Sequence, residues 1–448
     1  MPIDINDIRD YKDGDSSRVR ELLRRRYKPV EQVDGLIALD EQWRQAQFQV
    51  EMVQKKKNAL SKEIGQRKKQ KQDASDLMEE AKLLPEALQA AIKKAADLEE
   101  ELSRAIKTIG NYVHDSVPIS QNEDDNQVVK EHGQRRAREP WMQHHHELLY
   151  RIKGYEWEAG VDVAGHRAYF LTGPGVLLNQ ALISYGLAFL MKKGYTPVQP
   201  PFFMNQDVMA QTAQLEEFHE ALYKVVEHDG DTEGNKYLIA TSEQPISALH
   251  RNKWLTAKEL PLKYAGVSTC FRREAGSHGK DTWGIFRVHQ FEKVEQFVLT
   301  DPAHSWDMME EMIGHAEEFY QSLGLSYRVV AIVSGALNNA AAKKYDLEAW
   351  FPAREDYREL VSCSNCTDYQ SRAMETRFGA MREDKLARKS YVHMLNSTLT
   401  ATERTICCLL ENYQTEDGVN VPEVLQPYMG GMTFIPFQRT MKAAPANN

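Results

Sequence analysis

Long apolar runs are missing from this 448-residue chain, and no stretch approaches the ~18 consecutive apolar residues of a membrane span. The opening Met1-Pro2-Ile3-Asp4-Ile5-Asn6-Asp7 is acidic and has no apolar core, which argues against a secretory signal or transit peptide. Cysteine is scarce: five residues, an odd number, with Cys407 and Cys408 adjacent in an apolar helical run. A reduced, cytoplasmic protein is the simplest reading. Several catalytic signatures are also absent. There is no Walker-type phosphate loop, no GxGxxG after a strand and no HExxH, so a nucleotide site has to be built another way. Net positive charge is lacking as well: the chain carries −9, which taken whole argues against a nucleic-acid partner. There is no internal repeat, and the only low-complexity tract is His144-His145-His146, which reads as a surface feature rather than a ligand set. What is present is the composition of a globular protein, 42% hydrophobic and 27% charged, enough for a large core and two or three domains.

Whole-chain charge conceals a local excess. Residues 51–72 hold Lys55, Lys56, Lys57, Lys62, Arg67, Lys68, Lys69 and Lys71 against only Glu51 and Glu63, a net +6 that leaves −15 for the remainder. The segment lies in the most regular pattern of the sequence. Leu36, Leu39, Trp43, Ala46, Val50, Val53, Lys57, Leu60 and Ile64 alternate spacings of three and four, interrupted only by Lys57. Leu77, Ala81, Leu84, Leu88, Ala91, Ala95, Leu98, Leu102, Ala105 and Ile109 continue without a break. Two such stripes predict coiled-coil helices, about residues 33–110, folded back as an antiparallel hairpin across Gly65 to Ser75. The first helix, 33–64, should be roughly 48 Å long at ~1.5 Å per residue. Pro85 should start or kink the second helix rather than sit inside it. A dimerisation coiled coil and an anion-binding arm both fit; the lysines on one helix and turn favour the arm. Upstream, Arg18, Arg20, Arg24, Arg25, Arg26 and Lys28 fall on a short helix.

Residues 113–126, proline-broken and acidic, read as a linker between an N-terminal domain, 1–112, and a second domain, 127–448. The second domain mixes apolar runs bounded by Gly and Pro with helical stretches such as 176–193. It predicts an α+β fold on an antiparallel sheet. Two strands, 264–274 and 285–299, flank a polar loop from Ala275 to Gly284. On the return strand Arg287, His289, Phe291, Lys293 and Glu295 share a face by period-two alternation. That face suits a charged ligand; the plainer alternative is a solvated sheet face. Cys363-x-x-Cys366 lacks a second pair, so structural cysteines are expected rather than half a zinc site.

Phe271-Arg272-Arg273-Glu274, its loop, and Arg287 through Phe291 resemble motif 2 of class II aminoacyl-tRNA synthetases. Met191 to Pro201 is similar to motif 1, and Thr402-Glu403-Arg404-Thr405 to motif 3, opening a helix at about 400–412. Thr241-Ser242-Glu243, the basic arm and Ser362 through Arg372 narrow the resemblance to seryl-tRNA synthetases of the eukaryotic cytosolic type. It covers essentially the whole chain.

The resemblance implies roles. Arg272 binds the α-phosphate, Glu274 contacts the adenine amino group and Phe291 stacks on the ring. Arg287 and Arg404 hold the outer phosphates, Arg404 also capping the adenine; Val288 belongs to the ATP site. Glu359 and Ser362 ligate magnesium. Thr241, Glu243, Arg272 and Glu295 bind serine, with Asn396 and Thr398 near its hydroxyl. Arg272 and Arg404 carry the catalysis. The eight cations of residues 51–72 bind the tRNA, and Trp283, at the loop tip, either touches its acceptor end or merely packs. The protein is expected to be a homodimer that charges tRNA(Ser), uses Mg2+ with ATP and no zinc, and touches no membrane; whether tRNA(Sec) is charged stays open. The rivals are a catalytically silent RNA-binding or scaffold paralogue, and a synthetase for threonine. The latter should show zinc ligands and an editing region, and neither is evident. The tail from Thr440 to Asn448 reads as disordered.

Overall fold

The computed structural model describes residues 3–212, 221–226, 235–274, 283–379 and 390–440. Two parts of the sequence reading, the loop segment Ala275–Thr282 and the tail beyond Thr440, lie outside them. The chain forms two compact units, Met1–Tyr112 and Val113–Asn448.

In the first unit, α1 (Ser16–Arg25) starts where Asp15 caps the Ser17 amide and buries Val19, Leu22 and Leu23. The stripe residues then drive two long antiparallel helices, α2 (Gln32–Lys69) and α3 (Ser75–Lys107). Every residue of both stripes is buried or half-buried, Lys57 included. Two boundaries differ from expectation. Helix α2 runs through Gly65 for another turn, where Arg67 holds the end by pairing with Glu63 (3.1 Å) and Asp76 (3.1 Å). Pro85 sits inside α3, not at its start. It is exposed, so water can take the carbonyl its missing N–H leaves bare.

The base of the arm contains an ion pair that no periodicity reveals. Arg9 Nη2 lies 2.5 Å from Asp40 Oδ1, and Arg44 Nε 2.9 Å from Oδ2; the Asp40 side chain is almost fully buried. Burial pushes its carboxyl up, but the hydrogen bonds and charges of Arg9 and Arg44 outweigh this and hold it below the usual range. A depressed carboxylate stabilises fully above about pH 4, its unfolded value. The stabilisation disappears as the pH falls below that, through the lower folded-state value. Asp40→Ala should leave the Arg9 guanidinium buried and unpaired, destabilising this unit by about 3 kcal/mol. Thermal or urea melts of the two proteins at pH 7 measure this, and the difference should shrink towards pH 3.

The second unit is built on an eight-stranded sheet. In chain order its strands are β1 (Gln127–His132), β2 (Thr196–Val198), β3 (Leu262–Phe271), β4 (Gln290–Thr300), β5 (Tyr327–Ala331), β6 (Lys343–Phe351), β7 (Asp356–Asn365) and β8 (His393–Ala401). Their spatial order is β1-β5-β6-β7-β8-β4-β3-β2. All neighbours are antiparallel except β2 and β3. The helices around it include α4 (His145–Arg151), α5 (Gly173–Lys192), α6 (Glu243–Ser247), α7 (Ser305–Ser322), α8 (Tyr369–Met374) and α9 (Thr402–Tyr413). Helices α5, α7 and α9 bury their apolar faces on the sheet in one continuous core with Val294, Leu347, Val361 and Leu399. By length and composition α5 alone among the described helices could cross a membrane. Here Leu178, Ala181, Leu182 and Leu190 are core residues, while Val176, Leu177 and Met191 are exposed. Residues 113–126 run against this unit: His114 donates its amide to the Ala342 carbonyl, and the Pro118 carbonyl accepts from Ser334.

Candidate active site

The candidate residues converge on β3, β4, β7, β8 and the start of α9. Strand β3 ends at Phe271, so Arg272 emerges just beyond it, its amide bonded to the His289 carbonyl. The Arg272 Nε donates to the Ala240 carbonyl (3.3 Å), and its guanidinium lies 5.2 Å from the Phe291 ring centre. Glu274 has a positive φ of 47°, which turns the chain away from the strand.

The return strand differs from expectation. It begins at Gln290, so Arg287 and His289 precede it and do not belong to its alternating face. Arg287 instead reaches back, its Nε 2.6 Å from Glu274 Oε2, and His289 Nδ1 lies 3.0 Å from the Arg272 carbonyl. Burial raises the Glu274 carboxyl, but the Arg287 hydrogen bond and the charges of Arg287, Arg272 and Arg404 hold it below the usual range. The Val288 side chain is taken up by the core. Nor is the remaining face solvated: Lys293 is 5% and Glu295 2% exposed.

Those two residues floor a polar pocket. Glu295 Oε2 accepts from Thr241 Oγ1, from Ser242 Oγ (3.3 Å) and from Lys293 Nζ (2.8 Å). Glu243 Oε1 accepts from Gln370 Nε2 (2.7 Å) and Asn396 Nδ2 (3.0 Å). Thr398 is buried opposite Glu295 in register. Burial first, and the Glu295 charge second, push the Glu243 carboxyl up to about 7. A carboxyl raised by burial and a like charge is drawn back to its charged form by a cation placed beside it, and an ammonium group is such a cation.

Opposite lies the third cluster. Arg404, in the first turn of α9, donates through Nη1 to the Glu359 carbonyl (3.1 Å) and carboxylate (3.3 Å). Its guanidinium lies 4.9 Å from the Phe286 ring centre. On neighbouring strands Asp346 faces Ser362 in register. Asp346 is buried and its Oδ1 has no hydrogen-bond partner. An orphaned carboxylate oxygen beside the Ser362 hydroxyl and the Glu359 carboxylate is a hard-oxygen donor set that fits a divalent cation.

Sequence reasoning missed Gln370, Asp346 and Phe286. Gln370 falls inside the quoted Ser362–Arg372 segment, but only the return of α8 aims it at Glu243. Asp346 carries no motif; strand register alone brings it to Ser362. Trp283 is not free at a tip: its ring packs 5.1 Å from His146 and remains 43% exposed. The three histidines are no surface tract either, since His145 is buried. All five cysteines are buried and none forms a disulfide; Cys363, in β7, has its thiol pushed up to about 12 by burial. On the arm, Lys56 pairs with Glu80 (2.5 Å) and Arg67 with Asp76, so two of the eight cations are engaged across the hairpin. Lys55, Lys62, Lys68, Lys69 and Lys71 are exposed.

An antiparallel sheet presenting arginines from a strand end and a helix start is the architecture of a class II synthetase. A family model described as "tRNA synthetase class II core domain (G, H, P, S and T)" matches residues 223–413. A second, "Seryl-tRNA synthetase N-terminal domain", matches residues 3–113. The chain is 55% identical over 444 residues to the cytoplasmic serine–tRNA ligase of Schizosaccharomyces pombe, covering 98% of this chain and 97% of that one. It is 48% identical to the cytoplasmic serine–tRNA ligase of Naegleria fowleri, solved with AMP, at a TM-score of 0.85, covering 97% and 99% of the two chains. It is 36% identical to the seryl-tRNA synthetase of Pyrococcus horikoshii, solved with ATP, at a TM-score of 0.87, covering 98% and 100%. The chain belongs to the seryl-tRNA synthetase family.

Proposed function

We propose that this protein is a serine–tRNA ligase that activates L-serine with ATP and transfers the seryl group to tRNA(Ser). The observation that carries the amino-acid assignment is the pair of carboxylates, buried Glu295 and half-buried Glu243, surrounded by hydroxyl and amide donors beside Arg272. Such a pocket takes an ammonium and orients a hydroxyl, with Thr398 and Asn396 nearest the side chain. In the first step a serine carboxylate oxygen attacks the α-phosphorus. The bond from that phosphorus to the bridging oxygen breaks, and pyrophosphate leaves with the electron pair. Arg272 neutralises the charge developing on the α-phosphate, so positioning and electrostatics suffice and no side-chain nucleophile is needed. Phe291 stacks on the adenine, Glu274 accepts from its amino group, and Arg287 and Arg404 hold the outer phosphates. The Arg287–Glu274 pair gives way as the nucleotide supplies a new partner for each.

Glu359 and Ser362 would hold the magnesium that comes with the nucleotide, which would screen the phosphate charge, and Asp346 stands opposite Ser362 in register. In the second step a hydroxyl of the terminal adenosine attacks the seryl carbonyl carbon, and AMP leaves. The exposed lysines of the arm bind the phosphates of the tRNA, reading shape rather than base edges. The exposed Val176, Leu177 and Met191 on α5 suit burial against a second copy, as a homodimer. The names of the cytoplasmic relatives support a cytoplasmic location.

Pyrophosphate exchange tests the assignment. Serine and MgATP should support it, and alanine and threonine should not. Alanine leaves the pocket's polar groups unpaired, and threonine adds a methyl group beside the buried Thr398 and Asn396. Exchange that runs equally well with alanine would sink the reading of the pocket.

A further inference from the structure

The buried triad of His145, Glu411 and the Trp283 carbonyl has no part in the chemistry above. Its geometry is nonetheless specific. His145 is 6% exposed. Its backbone amide donates to Glu411 Oε1 (3.1 Å), and its ring Nδ1 lies 3.1 Å from the same oxygen. Its ring Nε2 lies 3.2 Å from the carbonyl oxygen of Trp283. Both ring nitrogens therefore face acceptors, and a ring carrying both N–H groups donates to each. Glu411 is fixed in turn, because its Oε2 accepts the amide of Ala353 (3.1 Å). His144 Nδ1 stands 3.8 Å from the same carboxylate; burial pushes this carboxyl up, but its contacts with His144 and His145 outweigh burial and hold it down at about 2.

The ends of this bridge matter more than its middle. Trp283 lies four residues before Arg287. Glu411 lies seven residues, about two turns, beyond Arg404 on α9. Between them sits Phe286, whose ring meets His145 (6.1 Å between centroids) and the edge of Phe351 (5.7 Å). The same ring carries the guanidinium of Arg404 at 4.9 Å and that of Arg358 at 5.4 Å. We infer that His145 is a positioning residue for the nucleotide site. It ties the chain leading into Arg287 to the helix that bears Arg404, and it braces the aromatic platform under Arg404. The inference rests on the reading that Arg287 and Arg404 hold the outer phosphates of ATP. A buried ion pair serving stability alone would have no such selectivity.

The test uses three full-length variants. In His145→Asn the amide still reaches Glu411 but is too short for Trp283. In His145→Gln the amide reaches the place of Nε2 and gives up Glu411. Glu411→Gln keeps the shape and removes the charge. Each is measured for its melting temperature, its KM for ATP and for serine in pyrophosphate exchange, and its affinity for MgATP by calorimetry. His145→Asn should raise KM for ATP about tenfold, as losing one partly charged hydrogen bond implies. KM for serine should stay within about twofold. His145→Gln, which keeps only the Trp283 end of the bridge, and Glu411→Gln, which weakens the other end, should each raise KM for ATP by a similar factor. Lower melting temperatures with an unchanged KM for ATP, or equal rises in both KM values, would overturn the inference. Should His145→Asn not fold, Glu411→Gln decides by the same criteria. A wild-type protein without serine-dependent exchange would strike the functional reading instead, and calorimetry with MgATP would then judge His145 by itself.

Discussion

Arg272→Ala should cut serine-dependent pyrophosphate exchange by roughly 10³-fold or more, the upper end of what one preorganised charge-stabilising donor contributes to an acyl or phosphoryl transition state. The fold should survive, because the side chain is half-buried and anchored through one Nε bond to the Ala240 carbonyl rather than woven into the core. Its charge reaches all three parts of the site: it lowers the carboxyls of Glu243, Glu274 and Glu359, although burial is the largest influence on each. Arg272→Lys keeps the charge but loses the planar fork, and should recover only part of the rate. Steady-state exchange with circular dichroism as a folding control measures the effect. Exchange within about tenfold of wild type would remove Arg272 from the chemistry.

Replacing residues 36–109 by a short glycine linker should leave exchange near the wild-type rate and lower kcat/KM for tRNA charging by about two to three orders of magnitude. The candidate catalytic residues all lie in the second unit, Val113–Asn448, whereas the exposed Lys55, Lys62, Lys68, Lys69 and Lys71 lie in the deleted segment. Phosphate contacts of this kind dominate affinity for nucleic acid and release counterions. Wild-type charging should therefore weaken steeply with salt, and the deleted protein should lose most of that slope. An unchanged salt dependence would assign tRNA binding to another surface. Reversing Lys68 and Lys69 to Glu is the milder version of the experiment and leaves the hairpin seam intact.

The sequence stated local matters well. Spacings of three and four fixed the two arm helices, because a narrow apolar seam can be buried only at that period. They did not fix the ends: Arg67 pairs with Glu63 and Asp76, and those bonds carry α2 past Gly65. Strand β3 was legible as an apolar run before Arg272. The return strand was legible only from Gln290, because the segment from Trp283 to His289 is shaped by contacts with Glu274, His145 and Arg404 that are remote in sequence.

For the site, the sequence by itself determined which chemistry is available: arginines in place of a phosphate loop, carboxylates for an ammonium, and a +6 segment on an acidic chain. These follow from residue type and short-range order. Only the tertiary structure decided which groups meet. Register between β6 and β7 sets Asp346 beside Ser362, and α8 returns Gln370 to Glu243. Burial turned Lys293 and Glu295 from an ordinary alternating face into a pocket floor. It also turned three consecutive histidines, unremarkable as a string, into a bridge from His145 to Glu411 across 266 positions. Side-chain type is local information. Partnership and dielectric are properties of the packed chain, and they set what each charge does.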